Sequence, residues 1–182
     1  MIIDDQEFYV NRLTYIIRSA VENDAKDLSD LRLQIDGETE NLDRERGEAY
    51  IDALGFERLI QTDTISQRNL FLIAIANNQL VGFSRCEGTY LKRLSHKVEF
   101  GVGVLKDYWG YGIGKNLLKE SLTWADSIGI KKVALIVLET NDRAIGLYKS
   151  LGFEIEGILK NDKFLSDGKY HDTIVMGRFN AI

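Results

Sequence analysis

The chain has 182 residues, of which 45% are hydrophobic and 28% are charged, and its formal net charge is −5. This length and composition are typical of one globular domain with a substantial core, and the acidic balance argues weakly against a nucleic-acid-binding protein. No apolar run approaches the length that spans a bilayer, and the opening MIIDDQEFYV lacks the basic flank and apolar stretch of a signal peptide.

The first part of the chain predicts one strand followed by two helices. Residues 13–19 (LTYIIRS) have the pattern of a short strand. Asn23 and Asp24 supply an N-cap for a helix that continues to about Asp36. Residues 48–61 carry apolar side chains at helical spacing and predict the second helix.

The segment that joins these two helices is rich in acids, namely Asp36, Glu38, Glu40, Asp43, Glu45 and Glu48. A solvated helix or loop face is one interpretation of such a cluster. The mouth of a pocket for a positively charged substrate is the other. The sequence alone leaves both interpretations open.

From Leu70 onwards the pattern predicts strands, interrupted by two helices. FLIAIA and LVGFSRCEGTYL form a hairpin around a turn at residues 77–79. In a third strand, residues 96–105, Gly101 and Gly103 indicate a bulge or a close backbone approach to a ligand. The later elements are a helix after residue 112 that ends at Gly129, a strand at 131–138, a helix at 141–151 closed by Gly152, and strands at 153–159 and 169–179. This order predicts a single mixed α/β domain.

A glycine-rich loop lies directly before the first of these later helices and reads Trp109-Gly110-Tyr111-Gly112-Ile113-Gly114-Lys115. Glycines just ahead of a helix expose backbone N–H groups to a phosphate, because no Cβ holds the ligand away. The P-loop pattern fails, since Trp109 stands where a glycine is needed and Asn116 where Ser or Thr is needed. The dinucleotide fingerprint fails too, because its third glycine would fall on Lys115 or Leu117. The loop therefore predicts another phosphorylated ligand.

A second motif, NDRAIGLYKSLGF, occupies residues 141–153. Asn141 suits a helix N-cap, and Ala144, Ile145, Tyr148 and Leu151 share one helical face. Taken alone, Tyr148 is an ordinary half-buried aromatic. Together with the glycine loop and the strand VEFGVGV, however, the motif resembles the GNAT superfamily of acetyl-CoA-dependent N-acyltransferases. The resemblance follows the family's order and spans residues 15–179.

The closing stretch, EGILKNDKFLSDGKYHDTIVMGRF, is similar to the bacterial branch that holds ribosomal-protein N-terminal and spermidine acetyltransferases. The family's usual loop is [QR]-x-x-G-x-[GA], and Trp109 departs from it at the Gln/Arg position. Phosphate contacts in such a loop come mainly from backbone N–H groups, so we expect the departure to cost little binding. The resemblance implies a GNAT fold, with a mixed sheet of about six or seven strands and about four helices. It places the domain at residues 15–180 of a single-domain chain, 1–182, with an extension at 1–14.

The resemblance also implies acetyl-CoA as co-substrate. The residues expected to contact it are Val102, Gly103, Val104, Trp109, Gly110, Tyr111, Gly112, Ile113, Gly114, Lys115, Asn141, Arg143, Ala144 and Tyr148. Backbone N–H groups near 102–104 would bind the thioester carbonyl and the pantetheine amides, and Tyr148 would protonate the leaving thiolate or donate a hydrogen bond to it. Glu99 is the candidate base for the acceptor amine, because strand alternation puts it on the face of Gly101 and Gly103. A solvent-facing glutamate is the alternative.

The remaining reactive side chains predict neither an acyl carrier nor a metal site. Cys86 is the single cysteine and cannot form an internal disulfide, which fits a reducing cytoplasm. No histidine lies near it in sequence, and the family transfers its acyl group directly, so we expect Cys86 in the core. His96 and His171 lack metal-ligand spacing with each other and with Cys86.

The sequence thus predicts an enzyme, an acyltransferase that moves acetyl from acetyl-CoA to a primary amine of a small or polyamine-like acceptor. The acid-rich segment modestly favours the polyamine. Two alternatives stay open, a protein N-terminal acetyltransferase of the ribosomal-protein type and a non-catalytic acyl-CoA-binding sensor. We expect a cytoplasmic protein without nucleic-acid or membrane partners, and a homodimer is a candidate because dimers are common in the family.

Overall fold

A computed structural model describes residues 2–180, which form eight strands and four α-helices. In chain order the elements are β1 (Gln6–Val10), β2 (Leu13–Ser19), α1 (Ala25–Glu38), α2 (Ala53–Ile65), β3 (Leu70–Ala76), β4 (Gln79–Gly88), β5 (Lys97–Val104), α3 (Ile113–Ser127), β6 (Lys132–Leu138), α4 (Asp142–Ser150), β7 (Glu154–Phe164) and β8 (Tyr170–Phe179). The predicted mixed α/β class is confirmed. None of the helices among the described residues is both long and apolar enough to cross a bilayer.

The strand count exceeds the expectation because residues 6–10 form an edge strand, β1, beside β2. Phe8 and Val10 are half-buried and pack against the core, but the residue between them, Tyr9, is also aromatic. The segment QEFYV therefore lacks the clean apolar–polar alternation that marks a half-buried strand. The turn to β2 uses Asn11 and Arg12, both at positive φ, without the glycine that usually signals such a hairpin. The division into a domain at 15–180 and an extension at 1–14 stays a prediction.

Three other element boundaries differ from the predicted ones for local reasons. Helix α2 begins after Asp52 rather than at residue 48, because the Asp52 carboxylate caps it by accepting from the Gly55 N–H at 2.8 Å. Strand β4 ends at Gly88, three residues before the predicted end. Strand β7 continues to Phe164, because it pairs again with β8 beyond an irregularity between Leu159 and Lys163.

The sheet has the order β1-β2-β3-β4-β5-β6-β8-β7, and its β5–β6 pair is parallel. That pair is short, running from Lys97 opposite Lys132 to Glu99 opposite Ala134. Beyond it, β5 stays paired with β4 as far as Val104, and β6 stays paired with β8 as far as Leu138. The two strands therefore diverge inside a sheet that is otherwise continuous.

Helices cover both faces of the sheet at this divergence. Helix α1 lies on one face, where a Cβ added to Gly103 of β5 would meet Ile35 at 3.4 Å. Helix α3 lies on the other face, where Ser121 is 3.4 Å from Ser84 of β4. Asp126 of α3 also binds Arg178 of β8 through two hydrogen bonds of 2.8 and 2.9 Å. Helix α3 thus holds the two parts of the sheet on either side of the β5–β6 divergence.

Candidate active site

A cleft of about 620 Å³ opens where β5 and β6 diverge. It is lined by residues of β5, the glycine loop, the first turns of α3 and α4, and the segment after α1. The predicted site residues that line it are Val102, Gly103, Val104, Trp109, Gly110, Gly112, Ile113, Gly114, Lys115, Asn141, Arg143, Ala144 and Tyr148. The remaining two, Glu99 and Tyr111, do not line it. The structure therefore gathers nearly all of the predicted residues around one cavity.

The glycine loop ends in a helix N-terminus that points its free N–H groups out of the helix. Gly110 and Gly112 have φ values of +95° and +76°, a backbone conformation that favours glycine. Gly112 is the N-cap of α3, and the first helical hydrogen bond runs from the Asn116 N–H to the Gly112 carbonyl at 2.9 Å. The N–H groups of residues 113–115 precede that bond, so no helical carbonyl pairs with them. They form an anion-binding end with a partial positive charge.

Trp109, the residue at which the loop departs from the family pattern, has a structural role. Its indole N–H donates to the Val104 carbonyl at 2.8 Å, which joins the start of the loop to the end of β5. The ring is only partly exposed and lines the cleft. Where the family pattern has Gln or Arg, this chain therefore has an aromatic ring that is hydrogen-bonded to β5 and forms part of the cleft wall. The N–H groups of residues 113–115 stay available.

The N-terminal hairpin of β1 and β2 fixes the same loop, a role that the sequence analysis missed. Asn11 donates to the Gly110 carbonyl at 3.1 Å, and the Tyr15 hydroxyl donates to the Tyr111 carbonyl at 3.3 Å. Asn116 in turn donates to the Tyr15 hydroxyl at 2.6 Å. In a trans peptide the carbonyl and the next N–H point in opposite directions. These bonds therefore direct the N–H groups that follow Gly110 and Tyr111 away from the hairpin.

Tyr148 lies in α4, with its ring 5.8 Å from the ring of Phe153 and only 8% of its surface exposed. Burial raises the pKa of its phenol to about 12, so the hydroxyl stays protonated at neutral pH. Within residues 2–180 this hydroxyl has no hydrogen-bond partner, and the side chain lines the cleft. It is a buried proton donor available to a ligand.

Glu99 has the predicted strand face but not the predicted surroundings. It pairs with Glu87 of β4, and two residues further along, Gly101 pairs with Arg85, so the strand alternation is as expected. Its side chain is 75% exposed, however, and lies 3.7 Å from the ammonium group of Lys97. Its role as the base stays a prediction.

A buried ion pair that the sequence analysis missed lies behind the cleft wall. Arg85 of β4 lines the cleft and binds Asp63 of α2 through hydrogen bonds of 2.6 and 3.0 Å. The Asp63 side chain is only 2% exposed and also accepts from Asn69 at 2.7 Å. The sequence could have indicated this pair, because Asp63 lies on the buried side of α2 and a buried charge needs a partner.

The acid-rich segment is bonded within the structure. Asp36 is buried between Arg44 at 3.1 Å and Arg32 at 3.7 Å. Glu38 accepts from the Lys106 N–H and Glu40 from the Ser166 N–H, at 2.7 and 2.8 Å. Asp43 pairs with Lys163 at 2.5 Å and lines the cleft. These carboxylates therefore offer a cationic ligand less than their number in the sequence indicates.

The sequence is similar to those of known acetyltransferases. The model of the acetyltransferase (GNAT) family matches residues 35–153. The L-amino acid N-acetyltransferase AaaT of Escherichia coli K12 is 31% identical over 128 residues, 70% of this chain and 76% of that protein. The [ribosomal protein bS18]-alanine N-acetyltransferase of Haemophilus influenzae is 29% identical over 143 residues, 70% of this chain and 94% of that protein.

Solved structures share the fold over nearly the whole chain. An acetyltransferase of the GNAT family from Streptococcus pneumoniae superposes with a TM-score of 0.88 at 27% identity, covering 91% of this chain and 99% of that one. The structure of yncA from Salmonella typhimurium, solved with its cofactor acetyl-CoA, has a TM-score of 0.78 at 19% identity and covers 90% of this chain and 92% of that one. At 19% identity, the similarity to yncA shows a shared fold and no more.

Cys86 lies in the core, as predicted. It is fully buried in β4, and burial raises the pKa of its thiol to about 12. We expect a thiol-specific disulfide reagent at pH 8 to label the native protein at least about 100 times more slowly than the unfolded chain, because the thiolate is both scarce and inaccessible. Rapid labelling of the native protein would contradict this burial.

Proposed function

Since the chain belongs to the acetyltransferase (GNAT) family, we propose that it moves the acetyl group of acetyl-CoA directly onto the primary amine of a small acceptor. Family membership makes it an N-acetyltransferase with acetyl-CoA as co-substrate. The proposal concerns the roles of its residues and the kind of acceptor. One observation carries it: a single cleft joins the glycine loop, the diverging edges of β5 and β6, and the Tyr148 hydroxyl.

In this proposal the phosphate end of acetyl-CoA binds at the N-terminus of α3. The N–H groups of residues 112–115 hold the pyrophosphate, helped by the positive end of the helix. The side chains of Lys115 and Arg143 also line the cleft, and a Cβ added to Gly110 would lie 3.9 Å from the Arg143 guanidinium. Two cations thus supplement the backbone donors, as an anionic ligand requires.

The pantetheine arm fills the gap between β5 and β6. Because the ladder between these strands ends at Glu99 and Ala134, the edge of β5 beyond that point is free of β6. The pantetheine amides can pair with residues 102–104 as an added strand does. An N–H of this edge that does not bind a pantetheine amide, already fixed in the sheet, stabilises the oxyanion that forms when the amine nitrogen attacks the thioester carbon.

The acceptor amine must lose a proton before it attacks. A lysine-like amine has a reference pKa of about 10.4, so its deprotonation at pH 7 costs about 4.6 kcal/mol, whereas an α-amine, with a reference pKa of about 7.7–8.0, costs about 1 kcal/mol. Glu99 remains the candidate base, and its exposed carboxylate would accept the proton through a chain of waters that reaches the cleft. As the C–S bond breaks, the thiolate of coenzyme A leaves on the side of Tyr148.

Tyr148 acts chiefly as a hydrogen-bond donor to the leaving sulfur. Its phenol has a pKa of about 12, whereas a thiol has a reference pKa of about 8.5. Complete proton transfer from the phenol to the thiolate would therefore cost about 5 kcal/mol. A hydrogen bond from a buried, protonated hydroxyl stabilises the developing negative charge without that cost.

We place the acceptor at the part of the cleft that is lined by the segment after α1, by β4 and by β7, and call it the acceptor end. Its charges favour an acceptor that carries an anionic group beside its amine. The charged residues that line this part of the cleft are one acid and three cations, namely Asp43, Arg44, Arg85 and Lys163. Each cation is paired, Arg44 with Asp36, Arg85 with Asp63 and Glu87, and Lys163 with Asp43. Asp36, Asp63 and Glu87 do not line the cleft, so the lining itself is richer in cations than in acids. A polyamine would bring several further positive charges into this region, whereas an amino acid brings a carboxylate. The amino-acid acceptor in the name of the Escherichia coli relative agrees with this choice.

The phosphate assignment predicts that Gly112→Ala weakens acetyl-CoA binding at least about tenfold in isothermal titration, because its Cβ and the strained φ displace the donors. Gly129→Ala is the matched control. It introduces the same strain, at φ +77° instead of +76°, at the other end of α3, where nothing lies within 4 Å of its Cβ. Equal affinities for both variants would remove the loop from the binding site.

The Tyr148 assignment predicts that Tyr148→Phe lowers kcat about 100-fold, because the ring still packs on Phe153 while the donor is lost. Affinity for acetyl-CoA should change less than about twofold. Tyr108→Phe is the control, since Tyr108 also lines the cleft but its hydroxyl accepts from Gln79 at 2.7 Å. Unchanged turnover of Tyr148→Phe would reduce Tyr148 to a packing residue.

The acceptor is tested with a panel of amines scored by release of free coenzyme A. The panel pairs L-amino acids with their decarboxylated amines, and adds spermidine and a peptide with a free N-terminus. We expect each preferred L-amino acid to exceed its decarboxylated amine about tenfold in kcat/KM, because only the carboxylate differs. A preference for spermidine would contradict the anionic-acceptor proposal. Tight acetyl-CoA binding with no amine modified would instead support a sensor.

A further inference from the structure

Two segments that are distant in sequence meet at the acceptor end of the cleft. One is the acceptor loop, residues 39–52 between α1 and α2. The other is the hairpin end, residues 163–169, which comprises the last two residues of β7 and the turn to β8. The Asp43 carboxylate lies 2.5 Å from the Lys163 ammonium group, and both residues line the cleft. A second contact runs from the Ser166 N–H to the Glu40 carboxylate at 2.8 Å.

The Asp43–Lys163 pair forms part of the cleft wall. The Lys163 side chain is only 13% exposed, whereas Lys160, three residues earlier on the same strand, is 71% exposed. Lys160 also has an acidic partner, Asp172 at 2.5 Å, but neither of those residues lines the cleft. Burial thus distinguishes Lys163 from Lys160, although its partner Asp43 is 57% exposed, and the aliphatic stem of Lys163 adds to the wall.

The pair also joins the two sides of the divergence in the sheet. Lys163 belongs to β7, on the side of β6 and β8, and the acceptor loop follows α1, which packs over β5. The loop is fixed at its own base, because Glu38 accepts from the Lys106 N–H just after β5 and Arg44 binds the buried Asp36. The ion pair is therefore held from both sides at this end of the cleft.

We propose that Asp43 and Lys163 set the acceptor specificity of the enzyme by closing the cleft to polypeptides while admitting small amines. This inference rests on the proposed function, since it concerns the same cleft. A peptide N-terminus must place its amine at the thioester while the rest of the chain leaves the cleft, and in this proposal it would leave past the Asp43–Lys163 contact in the cleft wall. A small amine is enclosed with the pair intact. Specificity then comes from rejection of the larger acceptor.

The test measures kcat/KM for a hexapeptide with N-terminal alanine and for the best small amine of the panel, in wild type, Lys163→Ala and Asp43→Ala. Wild type should use the hexapeptide at least about tenfold less well than the small amine. Each variant should raise the hexapeptide value about tenfold, whereas the small-amine value should not rise, because Asp43 and Lys163 already belong to the wall that contacts the small acceptor. The double variant should gain no more than either single one, because both remove the same contact.

Lys160→Ala is the matched control, because it removes an ion pair from the same strand outside the cleft, and it should behave as wild type. Retained acetyl-CoA affinity shows that each variant is folded, and either single variant suffices for the test. A wild type that acetylates the hexapeptide as well as the small amine would overturn the inference, and so would variants without the gain. If the wild type acetylates no amine at all, the proposed function fails together with this inference. The absence of turnover with the small amine distinguishes that outcome from a failure of the inference alone.

Discussion

The separation of β5 from β6 is the constraint on which the rest of the site depends. The parallel ladder between them covers three residue pairs and then ends, although each strand keeps its antiparallel neighbour on the other side. Helix α3 supports the backbone edge so exposed, because it is bonded to both parts of the sheet through Ser121 and Asp126. The cleft is therefore a gap held open by intact secondary structure on each side of it.

The glycine loop depends on contacts from outside its own segment. Its glycines permit the backbone conformation, but Asn11, Tyr15 and Trp109 hold two of its carbonyls and join it to β5. The edge strand β1 thus has a functional consequence, since the turn after it reaches the loop. A fixed set of donors loses little entropy when an anion binds, which is why such preorganisation matters for affinity.

The parts of the site that are local in sequence were predictable, and the parts made by distant contacts were not. The loop at 109–115 and the motif at 141–153 carry their chemistry in consecutive residues, so spacing and family resemblance located them. The acid-rich segment was misleading because its partners are remote: Asp43 pairs with Lys163, and Glu40 with the N–H of Ser166. The Arg85–Asp63 pair was not predicted for the same reason, since its two residues are also distant in sequence. Glu99 has the predicted strand face, yet the end of the β5–β6 ladder, which no pattern indicates, puts its side chain outside the cleft.

In the proposed complex, one cleft presents the thioester of acetyl-CoA to Tyr148 and to the free edge of β5. A crystal structure with bound acetyl-CoA would show whether it does. We expect the pyrophosphate on the N–H groups of residues 112–115, the pantetheine amides bonded to residues 102–104, and the sulfur within hydrogen-bond reach of the Tyr148 hydroxyl. Acetyl-CoA bound with its thioester away from Tyr148, or with β5 and β6 paired along their full length, would contradict it.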